Sequence, residues 1–344
     1  MAEARSPDNF RCHHQLMTQL KQRLSRITSV MPVGRPLVYL DYPVHDNVGD
    51  LLIHQGADAF LADYGYDVRG RFSIHDFSRR GQADESAFVL KPSIASLDRL
   101  LLREGCTLAL HGGGNFGDLW PEFQSFRETI IQRYPDTPIV ILPQSIHFGS
   151  ARERARAARL FGAHKNLFVF ARDAESLRFV QDDMGGAGDI MPDMAHQLWG
   201  SRGLASDGRE SGTLVLRRRD RESRRAASTA DAEFDWADLN GRLSTFSLRA
   251  LRKWQTIDNP LRHAVPNYQL WRIYRDRLIR RAVDVFRPYR TIDTDRLHGL
   301  ILGALMSKDV RYGEGTYGKL HRYVQLWLGD TPLIEPDAVK QAAE

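Results

Sequence analysis

The stretch Thr294-Asp295-Arg296-Leu297-His298-Gly299 sets a permanently charged guanidinium two residues from a titratable imidazole. Arginine grips a carboxylate or phosphate through paired hydrogen bonds, and histidine moves protons near neutral pH. The stretch follows an apolar-flanked strand candidate and opens an apolar helix, whose N-terminal N–H groups favour anions. Residue types in this pattern point to an anionic substrate whose reaction needs a proton transfer. The structural alternative is that Asp295 caps the helix and Arg296 pairs with a carboxylate.

Further candidates follow strand-like runs. His45-Asp46-Asn47-Val48-Gly49-Asp50 reads as a tight turn capping a helix, with Asn47 and Asp50 as candidate binding residues. His111-Gly112-Gly113-Gly114-Asn115-Phe116-Gly117-Asp118 carries three consecutive glycines. Such a run lets a ligand approach the backbone and exposes N–H groups as an anion nest, so Gly112, Gly113, Gly114 and Asn115 are assigned to binding. Asp118 is a candidate acceptor for a hydroxyl proton. Gln144, in Pro143-Gln144-Ser145-Ile146-His147, and Arg172, in Arg172-Asp173-Ala174-Glu175-Ser176, are placed at strand ends. Asp193, after Pro192, reads as structural as easily as functional. In Arg217-Arg218-Arg219-Asp220 alternate residues face opposite sides of a strand, so only some of these cations reach one ligand. Lys319, in Tyr317-Gly318-Lys319, adds a further candidate cation.

Several chemistries lack their signatures. There is no G-x-G-x-x-G after the first strand, no Lys-Ser/Thr after the triple glycine and no G-x-S-x-G elbow. No H-E-x-x-H and no Cys/His cluster appears, so no metal or cofactor is indicated. No nucleic-acid-binding module is recognisable. Cys12 and Cys106 have no disulfide-framework spacing, which reads as a cytoplasmic chain with reduced thiols.

These residues need a frame to converge. The 344 residues, 42% hydrophobic and 26% charged, are long for one core, and two domains of roughly 150–200 residues are expected. The net charge of +5 comes from arginine, because only seven of 48 basic residues are Lys. No apolar run approaches the roughly 18 residues of a membrane span. Strands are expected at 37–42, 67–72, 107–111, 139–143, 167–171 and 189–191, alternating with helices at 51–63, 93–103, 120–134, 151–161 and 174–181. This alternation predicts a parallel, helix-flanked sheet with its crevice beyond the carboxyl ends of the strands. A second block runs from a strand at 213–216 through a helix at 268–285 and strands at 290–293 and 310–312, with helices at 297–306 and 317–328. The resulting division is an N-terminal helical extension (1–30), a first α/β domain (31–205), a second (212–330) and a tail (331–344). The extension, with Leu16, Met17, Leu20, Leu24 and Ile27 at helical spacing, is expected to pack on the first domain.

Taken in order, the segments resemble the polysaccharide pyruvyl transferase family. The resemblance rests on Asn47-Val48-Gly49-Asp50, His111–Asn115, Leu142–Ile146, Arg172–Ser176, Pro192-Asp193, Arg218-Arg219-Asp220, Asp295–Gly299 and Tyr317-Gly318-Lys319, spanning about residues 37 to 330. It implies two Rossmann-like domains in a GT-B-like arrangement with an interdomain cleft, the first on the acceptor side and the second on the donor side. It implies phosphoenolpyruvate as donor and a sugar diol as acceptor, giving a pyruvate ketal and free phosphate. The family's donor-binding positions carry over to Arg218, Arg296 and His298, with Arg217 flanking and His298 the candidate acid. Asp46, Asp50 and Asp118 remain alternative bases. The acceptor is expected to be a lipid-linked or nucleotide-linked oligosaccharide, with peripheral approach to the inner face of the cytoplasmic membrane. A nucleotide-sugar-dependent GT-B-like glycosyltransferase and a non-catalytic carbohydrate-binding protein are the alternatives.

Overall fold

A computed structural model describes residues 6–80, 88–91, 93–205, 210–217, 232–239, 248–253, 267–313 and 318–337. The first sheet contains β1 (Leu37–Leu40), β2 (Val68–Phe72), β5 (Thr107–Leu110), β6 (Gly113–Gly117), β7 (Ile139–His147), β8 (Leu167–Ala171) and β9 (Ala187–Ile190). Its order is β2-β1-β5-β7-β8-β9, with β6 also paired to β7. A short antiparallel pair, β3 (Ser78–Arg80) and β4 (Phe88–Leu90), intervenes in the chain. The second sheet contains β10 (Thr213–Leu216), β11 (Ala232–Phe234), β12 (Thr291–Thr294), β13 (Asp309–Tyr312) and β14 (Ile334–Pro336), in the order β11-β10-β12-β13-β14. Every pairing within these two sheets is parallel.

Both sheets reverse direction in the same way. From β1 the chain goes outward to β2 and later returns to β5 on the other side of β1; from β10 it goes outward to β11 and returns to β12. Ligands in open parallel sheets bind at such a switch point, beyond the carboxyl ends of the strands. Asp41 and His111 directly follow β1 and β5; Arg217 and Asp295-Arg296 directly follow β10 and β12.

The strands and helices read from the sequence are found with small shifts at their ends. Besides the β3–β4 pair, which the sequence reading does not include, three strands of the two parallel sheets escape apolar patterning. β6 is glycine-rich, β11 sits in a polar stretch, and β14 lies in the segment assigned to the tail. Each is held by its neighbour's ladder rather than by side-chain periodicity.

One face of the first sheet is covered by the helices Ile94–Glu104, Pro121–Arg133 and Ala151–Gly162. The other face opens into a single apolar cluster running through the helices Val48–Asp63, Asn267–Phe286 and Leu297–Leu305, so the two sheets share one core. The N-terminal helix Pro7–Leu24 closes this seam from outside. Met17, Leu20 and Leu24 enter the shared core, Lys21 donates to Trp199 O (3.0 Å), and His13 bonds Ala304 O and Thr331 Oγ1 (2.9 Å each). It therefore packs on both halves rather than on the first alone, because its buried stripe continues past the edge of the first sheet. Among the described residues no helix is long and apolar enough to cross a membrane.

Polar contacts fix the seam where apolar packing alone would let it slide. Arg275, nearly buried, bonds Asp58 (2.6 Å) and His54 Nδ1 (2.5 Å), and Tyr268 donates to Asp58 (2.5 Å). Burial pushes the His54 imidazole down to about 3, so it stays neutral at pH 7. Burial alone would raise the Asp58 carboxyl; the facing His54 and Arg275 and the hydrogen bonds from Tyr268 and Arg275 bring it down to about 2. A depressed carboxyl stabilises the fold above its unfolded pKa of about 4 and loses that contribution as pH falls through its folded value. Urea unfolding between pH 4 and pH 2 should therefore show a steep loss of stability in the native protein and a flatter one in Asp58→Asn.

Gly56 lies against the 3-10 turn Met194–Leu198, where a Cβ would stand 2.0 Å from Met194 O. Gly56→Ala should cost roughly 1–3 kcal/mol of unfolding free energy by overpacking, read as a lower thermal midpoint.

Candidate active site

Asn47 caps the Val48–Asp63 helix. Its Oδ1 accepts from Gly49 N–H (3.1 Å) and its Nδ2 donates to Asp50 Oδ2 (2.9 Å), so the turn is held from within. A Cβ at Gly49 would fall 2.6 Å from His298 Nδ1, so only glycine lets this imidazole lie on the helix start. Asp50 Oδ1 faces Gly113 of the triple-glycine segment, and Arg172 Nη2 faces Gly114, 3.7 and 3.3 Å from where each Cβ would be. Gln144 Nε2 donates to His111 O and Asn115 Oδ1 (3.1 Å each), tying β7 to that segment.

The connection closes through Asp193. Its carboxylate is fully buried; Oδ2 accepts from Arg172 Nη1 and lies 3.3 Å from His298 Nε2, while Oδ1 accepts from Ala195 N–H (2.9 Å). Burial alone would raise this carboxyl. Arg172, His298 and the Ala195 N–H outweigh burial, and it titrates far below the usual carboxylate range. An ionised carboxylate only accepts, so His298 Nε2 carries a hydrogen and Nδ1 is the nitrogen turned toward Gly49. Arg172 also bonds Ser145 Oγ (3.2 Å), which in turn donates to Asp173 (2.8 Å), and its carbonyl accepts from Trp327 Nε1 (2.7 Å). Tyr323 takes the Asp193 N–H (3.0 Å) and shares a hydrogen bond with His196 (2.9 Å).

Arg296 is the first flanking residue of the Leu297–Leu305 helix. Its N–H donates to Thr294 Oγ1 (3.0 Å), and among the described residues no side chain caps the helix start. The expected alternative of an Asp295 cap is therefore not what the structure shows. Arg296 Nη2 does pair with a carboxylate, Asp235 Oδ1 at 2.5 Å, which holds the guanidinium at the second switch point. A guanidinium, an uncapped helix start and an imidazole with one nitrogen toward Gly49 thus stand together, opposite a glycine-rich wall. This arrangement can hold an anion and pass a proton to it.

A family model described as polysaccharide pyruvyl transferase matches residues 47–311, which include every group just named from Asn47 to His298. The chain belongs to the polysaccharide pyruvyl transferase family. EpsO of Bacillus subtilis (strain 168), provisionally named a pyruvyl transferase, is 33% identical over 319 residues, 92% of each chain. Pyruvyl transferase 1 of Schizosaccharomyces pombe is 27% identical over 91% of this chain and 73% of its own. A crystal structure of the uncharacterised Klebsiella pneumoniae protein KP1_0663 superposes with a TM-score of 0.57 at 18% identity, covering 93% of this chain and 98% of that one; it shares the fold.

In this pyruvyl transferase Asp118 and Arg217, also singled out from the sequence, are engaged in contacts of their own. Both Asp118 oxygens are occupied by backbone, accepting from Gly149 N–H (2.8 Å) and Ser150 N–H (2.7 Å), so Asp118 fixes the turn before the Ala151–Gly162 helix. Arg217 Nη2 bonds Asp293 on the neighbouring strand (2.6 Å). Asp293-Thr294-Asp295 has D-x-D spacing, a motif the sequence reading wrongly counts as absent; the Asp293 carboxylate is engaged by Arg217. Arg218 lies outside the described residues. Lys319 begins the helix Lys319–Tyr323, and its side chain lies outside them too. Asp193, Tyr323, His196, Asp235, Asp41 and Arg127 are missed or left open by sequence reasoning. A carboxylate directly after Pro192 at a strand end was the one available signal, and it does not name its partners.

Removing Asp193 strands the buried Arg172 charge. Asp193→Ala should destabilise the protein by about 3–5 kcal/mol, whereas Ser145→Ala, which removes a neutral partner of Arg172, should cost about 1 kcal/mol. Equal losses in urea unfolding would mean that Asp193 is not the counter-ion that matters.

Proposed function

We propose that this enzyme transfers the pyruvyl group of phosphoenolpyruvate to two hydroxyls of one sugar in a cell-surface glycan precursor, forming a pyruvate ketal and releasing phosphate. The observation that carries the reading is the meeting of His298, two residues after Arg296 at the start of the Leu297–Leu305 helix, with Gly49 in the Asn47–Asp50 turn that follows the first sheet. Family membership supports pyruvyl transfer to a polysaccharide. The donor and the ketal are our reading of the chemistry.

Phosphoenolpyruvate carries a carboxylate and a phosphate, which suit guanidinium and helix N–H groups. His298, as imidazolium, gives a proton to C3, and positive charge develops at C2. A sugar hydroxyl bonds to C2, and a second hydroxyl of the same sugar then displaces phosphate. Acid assistance of this kind contributes roughly 10²–10⁴-fold. No cofactor enters the scheme. The two sheets act as two Rossmann-like domains of a GT-B-like arrangement, with donor on the second and acceptor on the first. Arg218 and Lys319 are further donor-side cations in this reading, and Gly112, Gly113, Gly114, Asn115 and Gln144 form the acceptor wall. The acceptor is a lipid-linked or nucleotide-linked oligosaccharide, met in the cytoplasm at the membrane face.

Incubation with phosphoenolpyruvate and candidate oligosaccharides should yield phosphate and an acceptor mass gain corresponding to a pyruvate ketal. Nucleotide release from a sugar donor instead would make it a glycosyltransferase. His298→Ala should abolish turnover, a loss of at least about 10²-fold, while leaving donor binding within a few-fold. Arg296→Ala should weaken donor binding severely, and unchanged affinity by calorimetry would make that guanidinium structural.

A further inference from the structure

Ketal formation requires a base for the acceptor hydroxyl, and the carboxylates beside the site are unequally suited. Asp118 is bound to two backbone N–H groups, and Asp50 Oδ2 accepts from Asn47 and faces His45 Nε2 at 3.5 Å. Asp41 is different. It is the first residue beyond β1, on one lip of the first switch-point crevice; His111 and the triple glycine form the other. Its carboxyl is 1% exposed, and neither oxygen has a hydrogen-bond partner among the described residues. Its φ is +64°, a region uncommon outside glycine that Asp and Asn enter more readily than other residues. Strain and an unsatisfied buried carboxyl persist where function requires them. Among the described residues one cation faces it: Arg127 Nη2 lies 3.6 Å from Oδ2, and the same fully buried Arg127 holds Asn115 by backbone and side-chain oxygens.

We propose that Asp41 is the general base of the acceptor step, taking the proton of the attacking sugar hydroxyl directly or through one water. The inference rests on the ketal-forming reading of the site. The hydroxyl oxygen bonds to C2 as its proton passes to Asp41 and C3 gains the proton of His298. When the second hydroxyl oxygen bonds to C2, the bond from C2 to the phosphate oxygen breaks, and that hydroxyl's proton leaves on phosphate. Asp41 then returns its proton to solvent, and His298 regains one.

The surroundings tune the group for this task. Burial pushes the Asp41 carboxyl up, Arg127 opposes, and Asp50 and Glu122 push it further, to about 7. A base works best with a pKa near the working pH. Because the active form is the carboxylate, the rate should rise with pH through about 7. Asp50 comes from the helix start above, and Glu122 from the same helix as Arg127.

The test uses full-length Asp41→Asn and Asp41→Gly, since both residues tolerate positive φ. Phosphoenolpyruvate affinity should stay within about twofold of the unmodified protein. Turnover should fall about 10²–10⁴-fold, and the remaining rate should lack the rising limb. Glu122→Gln, which keeps Asp41 and removes one negative charge, should move that limb to lower pH. Turnover of Asp41→Asn within threefold of the unmodified protein, or an unchanged limb in either Asp41→Asn or Glu122→Gln, would overturn Asp41 as the base. Absence of any pyruvate mass gain with the unmodified protein, or full turnover in His298→Ala, would instead overturn the ketal reading itself.

Discussion

A single buried carboxylate holds the site together. Asp193 lies between a guanidinium that follows β8 of the first sheet and an imidazole that follows β12 of the second. An ionised group without solvent is tolerable only if its partners are in place, and here they come from opposite halves of the molecule. The Ala195 N–H and the Tyr323 hydroxyl complete the shell around the same residue. The position of His298 is therefore tied to the first sheet by electrostatics, and a shift of one half would leave a buried charge short of a partner.

The shared apolar core brings the halves together but does not choose their register, because hydrophobic burial is non-directional. Direction comes from polar contacts crossing the seam: Arg275 and Tyr268 on Asp58, and His13 on Ala304 and Thr331. Close approach comes from glycine. At Gly49 and Gly56 a methyl group would collide with His298 and with the Met194 carbonyl, so the Val48–Asp63 helix can be pressed against both. Helix, turn and imidazole are thus set by omission of side chains as much as by their presence.

Much of the fold was legible because the strands of a buried parallel sheet are short apolar runs, and those at 107–110, 167–171 and 213–216 stand out plainly. The turn chemistry was legible too: Asn47 caps its helix as its type and place suggest. β6 was not, since three glycines carry no apolar pattern and its pairing depends on β7 extending past the core. Arg296 and His298 announce themselves by type and spacing. Asp41 does not, because a carboxyl at a strand end looks like any turn residue until its φ, its burial and its missing hydrogen bonds are known.

The sequence by itself determined the alternation of strands and helices, the two sheets, and a chemistry of arginine, histidine and glycine at strand ends. These follow from local period and residue type, which need no knowledge of distant contacts. Only the tertiary structure decided which groups share a site. It set Asp193 between Arg172 and His298, gave Asp118 and Arg217 to backbone and to Asp293, and laid His298 on Gly49. Those partnerships join residues tens to hundreds of positions apart, and they are fixed by how two parallel sheets bury one common core.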